Sequence, residues 1–461
     1  MHERNLTEGS VFKRLLMFAL PMLCSNIVQS LYNVTDMLIV GKFNGPVSIS
    51  GVNIGGQVTF LMTMMVIGFC IGGSVIIAQY VGAKQLDKIK TTISTLLITV
   101  VSTAVLMSTV MLFISTPILH LINTPPEAFS EARSYLDITV VGIIFVFLYN
   151  AMSAIMRGMG DSKTPMIFVS IACSLNVVLD LIMVGPLHMA AAGAALATII
   201  SQAVSVILCV IYLKKRNMVF DFKLSSFKFS KEQFKLLMRI GIPTSIQNVI
   251  ANISFLFLNS LVNEFGVMAS AAVGIVSKFN SFAIMPALAI SSSISTLSAQ
   301  NMGAGLTDRA RKTFFIGIGM ALSITIPIFV ISRLLPTQIL GLFDDTPEMI
   351  DAGVLYMEYF TFEYLIVPIM FCLNGLINGS GHTLVTAINN VCSALIFRIP
   401  LAYLLGIVFK LGLPGIAMAV PLSTIGAIMI SGSYFLSGKW KSSKVVKRPL
   451  IIESDIAPGV G

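Results

Sequence analysis

The chain has 461 residues, 56% hydrophobic and only 11% charged, with a mean hydropathy of +0.89. That is too little charge to clothe a soluble domain of this size, so soluble enzymes and soluble binding modules are excluded. The net charge of +9 would suit nucleic acid, but the basic residues cluster in alternate polar segments between apolar runs, which is a signature of membrane topology.

Residues 1–10 are polar and lack a cleavage pattern, so no removable signal peptide is expected. Twelve apolar segments follow, each long enough for the roughly 20 residues that a helix needs to cross a bilayer. They lie near 13–40, 48–80, 91–116, 132–156, 164–186, 190–213, 235–262, 268–300, 311–336, 351–378, 383–408 and 413–437. The expected fold is therefore an all-α integral membrane protein with twelve transmembrane helices. The second and eighth segments are long enough to tilt or bend.

The first span carries Asn26, Gln29, Asn33 and Asp36, which fall within an arc of about 80° on a helix. Pro21 on the same span removes a backbone donor and should kink it. The fifth span carries Asn176 and Asp180, one turn apart on one face. Polar groups inside a membrane are costly. Two carboxylates brought together there would bind a cation, share a proton or tie helices through hydrogen bonds. Sodium held by Asp36, Asp180 and Asn176 is one expected form of such a site; no other metal is expected. The six cysteines show no metal-ligand spacing and read as small buried hydrophobes.

Residues 214–239 form the only long polar stretch in the interior, with Phe222, Phe227 and Phe229 interleaved among basic residues. This pattern suits a link lying partly on the membrane surface. It divides the chain into a six-helix half over 1–213 and a second over 240–437, followed by a basic tail over 438–461 expected to be disordered. The halves repeat. Ala78-Gln79-Tyr80-Val81-Gly82-Ala83 returns as Ala299-Gln300-Asn301-Met302-Gly303-Ala304, 221 residues later. Arg157-Gly158-Met159-Gly160 returns as Asn378-Gly379-Ser380-Gly381, and Leu20-Pro21 as Ile242-Pro243. Duplicated membrane units point to a transporter with its site between pseudo-symmetric halves.

The repeat is not perfect. The seventh span keeps Asn248, Asn252 and Asn259 on one face but has no acid, and Arg398 stands at the counterpart of Asn176. A charge there must be matched, with Glu363 or Glu358 as the candidate partners. Lys278, the counterpart of Gln57, either lines a cavity or snorkels. The expected cavity lining is Asn26, Gln29, Asn33, Gln57, Asn248, Asn252 and Lys278. With 26 Met and 30 Phe, a cavity in this chain would suit varied lipophilic cations.

Orientation follows from charge. Segments on the side of the termini hold 24 Lys and Arg, the opposite segments hold 4, and Lys278 and Arg398 lie within spans. Both termini and the central link are therefore expected in the cytoplasm, with the chain a multi-pass protein of the inner membrane.

Val34-Thr35-Asp36-Met37-Leu38-Ile39-Val40-Gly41, the Ala-Gln-x-x-Gly-Ala repeat, Arg157-Gly158-Met159-Gly160-Asp161 and Asn176-Val177-Val178-Leu179-Asp180 together resemble the multidrug and toxic compound extrusion family, over about residues 5–437. The resemblance implies a V-shaped twelve-helix antiporter. It would export lipophilic or cationic small molecules in exchange for protons or sodium, with no cofactor. It places a cation-binding network in the first half, at Asp36, Tyr135, Asn150, Asn176, Asp180 and Thr198. One branch of the family adds acids on the seventh and tenth helices, but the matching positions here are Ala251 and Val367. The expected partners are such substrates and membrane lipids, without nucleic acid, and the expected state is a monomer. The alternatives are a lipid-linked oligosaccharide flippase of the same superfamily and, more remotely, an integral-membrane enzyme. HExxH and GxSxG motifs are absent, which weighs against the enzyme.

Overall fold

The computed structural model describes residues 5–215 and 219–446. Helical backbone extends over Val11–Gly82, 72 residues. At 1.5 Å per residue a single helix of that length would measure about 108 Å, far more than the roughly 30 Å of hydrocarbon to be crossed. The run is broken at Gly45, whose φ of 75° and ψ of −170° are non-helical and open only to a residue without a Cβ. Pro46 then starts the next helix, where its missing N–H costs nothing. The break gives α1 (11–44) and α2 (46–82).

The first half continues with α3 (Leu86–Leu121), α4 (Pro126–Gly158), α5 (Lys163–Met183) and α6 (Ala190–Lys215). The second half holds α7 (Lys231–Asn263), α8 (Val267–Ala304), α9 (Thr307–Leu334), α10 (Pro347–Phe360 with Glu363–Gly379), α11 (Thr383–Val408) and α12 (Leu413–Leu436). The two pieces of α10 meet at 47°. The described residues thus contain twelve spans. Helices are the form expected here, because in lipid each backbone group must be satisfied within its own segment.

The first half packs around buried side chains of α2, α3 and α4, such as Ile76, Leu96, Leu136 and Phe147. The second half has two larger clusters, one around Val276, Tyr356, Tyr364 and Ile416 and one around Ile294, Leu373 and Leu376, and a small one of Val367, Met370 and Ala427. The halves meet where the repeated Ala-Gln-x-x-Gly-Ala segments cross. A Cβ on Gly82 would lie 1.9 Å from the Gln300 carbonyl oxygen, and one on Gly303 would lie 1.9 Å from that of Gln79. The side chain of Gln79 donates to the Gly379 carbonyl at 2.7 Å, and that of Gln300 to the Gly158 carbonyl at 3.1 Å. Both repeated motifs are therefore spent on one two-fold-like joint, in which only glycine lets the backbones touch.

The chain ends cross over this joint. Leu6 packs into the second half beside Ala310 and Phe314, and its N–H donates to Gln300 Oε1 at 3.2 Å. Beyond α12, a short turn at Lys439–Lys441 buries Trp440 against Phe435. Ser443 then donates to Gln79 Oε1 at 2.5 Å, and Val445 and Val446 enter the first-half core. The expected disorder of the tail from 438 thus does not hold as far as Val446, because these side chains find apolar pockets at the joint. The remainder, 447–461, lies outside the described residues.

The link also differs from expectation. Phe220 is buried, and Phe222 and Phe227 pack edge-on against it and the first-half core. Phe229 alone stays exposed. Helix α7 begins at Lys231, capped by the Ser230 side chain, so the last part of the expected link is helical. Residues 216–218 lie outside the described residues.

Candidate functional site

Asp36 on α1 and Asp180 on α5 are buried, at 6% and 0% exposure. They stand next to one another, each within interaction range of the other's carboxyl group. One turn away, Asn176 is also buried and donates to Thr198 Oγ1 on α6 at 3.3 Å. Tyr32, one turn before Asp36, shares a 2.9 Å hydrogen bond with the same hydroxyl. Thr198 therefore ties α1 to α5 and α6. Tyr135 of α4 closes the cluster, within range of both carboxyl groups. Its ring lies against Gly55 of α2, where a Cβ would come within 2.7 Å.

The cluster has many oxygens and few donors. Asp36 Oδ1, both carboxyl oxygens of Asp180, Asn176 Oδ1, Ser201 Oγ and Gln202 Oε1 are buried and have no hydrogen-bond partner among the described residues. Buried polar atoms are rarely left this way, since each costs about 1–3 kcal/mol. A monovalent cation or protons would satisfy several of them at once. A pocket adjoins the carboxyl pair, lined by Gln29, Tyr32, Asn176, Thr198, Ser201 and Gln202 among others, with room for about one water-sized occupant. That scale fits an ion or a water. Among the described residues no group of three His, Cys, Asp or Glu is placed to hold a metal ion.

Of the six residues expected in the cation network, Asp36, Asp180, Asn176, Thr198 and Tyr135 come together. Asn150 does not join their hydrogen bonds: its amide donates to the Val146 carbonyl of its own helix at 2.9 Å. Tyr32, Ser201 and Gln202 were not singled out in the sequence. Tyr32 lies on the stripe of Gln29 and Asp36 at helical spacing. Ser201 and Gln202 follow Thr198 by three and four residues, so the same periodicity would have found all three.

Among the other expected positions, Gln29, Asn33, Gln57, Asn252 and Lys278 are exposed, while Asn26 and Asn248 are half-buried. Gln57 bonds to Asn53 within its own helix, and Asn252 to the Asn248 carbonyl. At Pro21 the backbone keeps helical dihedrals, and the Ser25 hydroxyl donates to its carbonyl.

In the second half, Arg398 ends a π-helical turn over Cys392–Arg398. Glu363, buried at 6% exposure, lies within electrostatic range of it, while Glu363 Oε2 has no hydrogen-bond partner among the described residues. Glu358, the other candidate, is exposed, and its backbone carbonyl accepts from Arg333.

The MatE family model matches twice, at residues 21–182 and 243–404, so the internal repeat is a repeat of the family unit. The probable multidrug resistance protein YpnP of Bacillus subtilis is 26% identical over 96% of this chain and 99% of its own. The probable multidrug resistance protein NorM of Thermotoga maritima is 28% identical over 96% of each. A solved structure described as the outward-facing conformation of a multidrug resistance MATE family transporter of the MOP superfamily shares the fold. Its TM-score is 0.88 at 23% identity, over 97% of this chain and 99% of that one. Two family units, twelve spans and a polar cluster buried in the first half agree on one conclusion: the chain belongs to the MatE family of multi-pass membrane transporters.

Proposed function

We propose that this chain is a multidrug efflux antiporter, exporting lipophilic or cationic small molecules in exchange for protons or sodium ions. The observation that carries the reading is the donor-poor set of oxygens around Asp36 and Asp180. The names of the relatives support the drug half of the reading.

In this mechanism, a cation entering beside Asp36 and Asp180 offsets the cost of two adjacent buried carboxylates. Asn176, Thr198 and Tyr32 orient the oxygens around it. Helix α1 then bends at Pro21, where the backbone lacks a donor. The bend alters the wall of the drug cavity between the halves, to which Asn26, Gln29, Asn33, Gln57, Asn248, Asn252 and Lys278 contribute polar groups. Drug and ion favour different states of one structure, so by linkage each weakens the other's binding. The protein acts as a monomer in the inner membrane, with both termini and the 214–239 link in the cytoplasm. A flippase for pyrophosphate-linked lipids would need several free cations in the cavity. Here Arg398 is buried and bonded to Ser423 and Ser254.

The test is ethidium efflux from vesicles under an imposed sodium gradient, then under an imposed proton gradient. The reading expects one of the two to drive export. Export unaffected by either gradient would refute it.

A further inference from the structure

The two matches to the family unit are offset by 222 residues. That offset makes Arg398 the counterpart of Asn176, Ser254 that of Tyr32, and Ser423 that of Ser201. These counterparts meet in space. Arg398 Nε donates to Ser423 Oγ at 3.3 Å, and Nη1 to Ser254 Oγ at 3.5 Å. The guanidinium also lies 4.5 Å over the ring of Phe255, an arrangement that attracts a cation to the aromatic face. The side chain therefore occupies the second-half equivalent of the small pocket beside Asp36 and Asp180.

The rest of that pocket has changed to suit it. The counterparts of Asp36 and Asp180 are Leu258 and Ala402, both buried and apolar. One buried carboxylate remains, contributed by a different helix: Glu363 of α10, within electrostatic range of Arg398. Its Oε1 accepts from Thr424 at 2.8 Å, and Thr424 adjoins the Ser423 that holds Arg398. Tyr356 and Tyr364 of α10 are the other titratable groups beside the pair.

We propose that Arg398 is a built-in cation: its guanidinium permanently fills the second-half counterpart of the ion pocket, with Glu363 as counter-charge. Ions then exchange through the first half alone. The proposal rests on the antiport reading above. Guanidinium keeps its proton in proteins, and a tethered charge cannot dissociate. The second half thus keeps one charge state while the first half gains and loses an ion. Removing the guanidinium would leave a buried carboxylate among hydroxyls, which is the arrangement that favours cation or proton binding in the first half.

The test counts ions released when tetraphenylphosphonium binds the purified full-length protein in detergent. Proton release is read with a pH indicator in weak buffer, and sodium release by displacement of radioactive sodium. The Asp36→Asn/Asp180→Asn protein, with Arg398 intact, should release neither ion. Arg398→Asn should roughly double the ions released per drug, since an added linked site contributes its own exchange. Arg398→Asn/Glu363→Gln should return the count to that of wild type, and Arg398→Lys should never leave it. Ion release that persists without Asp36 and Asp180 would overturn the proposal, as would an Arg398→Asn count equal to wild type. Should Arg398→Asn fail to fold, the double aspartate variant decides alone. Wild type that binds drug and releases no ion would sink the antiport reading itself, and this proposal with it.

Discussion

The pocket beside Asp36 and Asp180 and its counterpart around Arg398 are built on the same frame of helices, yet their electrostatics are opposite. In the first half, six buried oxygens lack a partner among the described residues. In the second half, the same volume holds a guanidinium bonded to Ser254 and Ser423, stacked on Phe255 and facing Glu363. A duplicated frame supplies two equivalent cavities, and a few side chains decide what each one does. Desolvating an unpaired charge costs several kcal/mol. On the proposed reading, that cost is offset in the first half only while an ion is present, so the ion can shift a conformational equilibrium. On the same reading, the tethered guanidinium takes the ion's place in the second half, although Glu363 Oε2 has no hydrogen-bond partner among the described residues.

Breaking the first-half cluster should have the largest effect. Asp36→Asn and Asp180→Asn should each reduce gradient-driven ethidium efflux to the level of empty vesicles, at wild-type expression and insertion. Near-normal efflux by either would remove that residue from the coupling site. The joint between the halves, by contrast, should respond symmetrically. Gly82→Val and Gly303→Val each force a side chain onto the opposite backbone, where even a Cβ would lie 1.9 Å from a carbonyl oxygen. Each should cost about 3 kcal/mol, the upper end of overpacking penalties, read as a lowered thermal midpoint in detergent. A clear difference between the two would show that the joint is not as two-fold as its contacts.

Smaller changes sharpen the boundary of the pocket. Tyr32→Phe removes one hydrogen bond to Thr198, worth about 1 kcal/mol. It should weaken the ion's effect on drug binding roughly five-fold while leaving drug affinity in the absence of the ion intact. Asn150→Ala should change ion dependence less than about two-fold, because its amide is bonded to the Val146 carbonyl of its own helix and not to the cluster. A large effect at Asn150 would enlarge the pocket beyond its hydrogen-bonded members. Labelling of Ser225→Cys in intact cells tests orientation: no reaction with an impermeant thiol reagent is expected, and strong reaction would invert the topology.

Much of the fold was legible because lipid leaves the chain few choices. Long apolar runs must be helices, and the Gln79 and Gln300 motifs announced the duplication before any contact was visible. The carboxylate pair was legible for a related reason: Asp36 and Asp180 are too costly in a membrane to be incidental. Tyr32 was missed because an aromatic side chain in an apolar helix raises no alarm, although its hydroxyl bridges α1 to Thr198. The fate of Trp440, Val445 and Val446 was illegible because burial of a basic tail depends on pockets formed by distant segments. The setting of Arg398 depends on a π-helical turn and on Glu363 from another helix, and neither is written in local periodicity.

The most direct test of ion coupling through the first half is drug affinity of the purified protein across a titration of sodium and, separately, of pH. In wild type, one of these ions should weaken drug binding progressively. In Asp36→Asn the drug should still bind, with an affinity that no longer depends on that ion. Affinity independent of both ions in wild type, or an unchanged ion dependence in Asp36→Asn, would contradict the account.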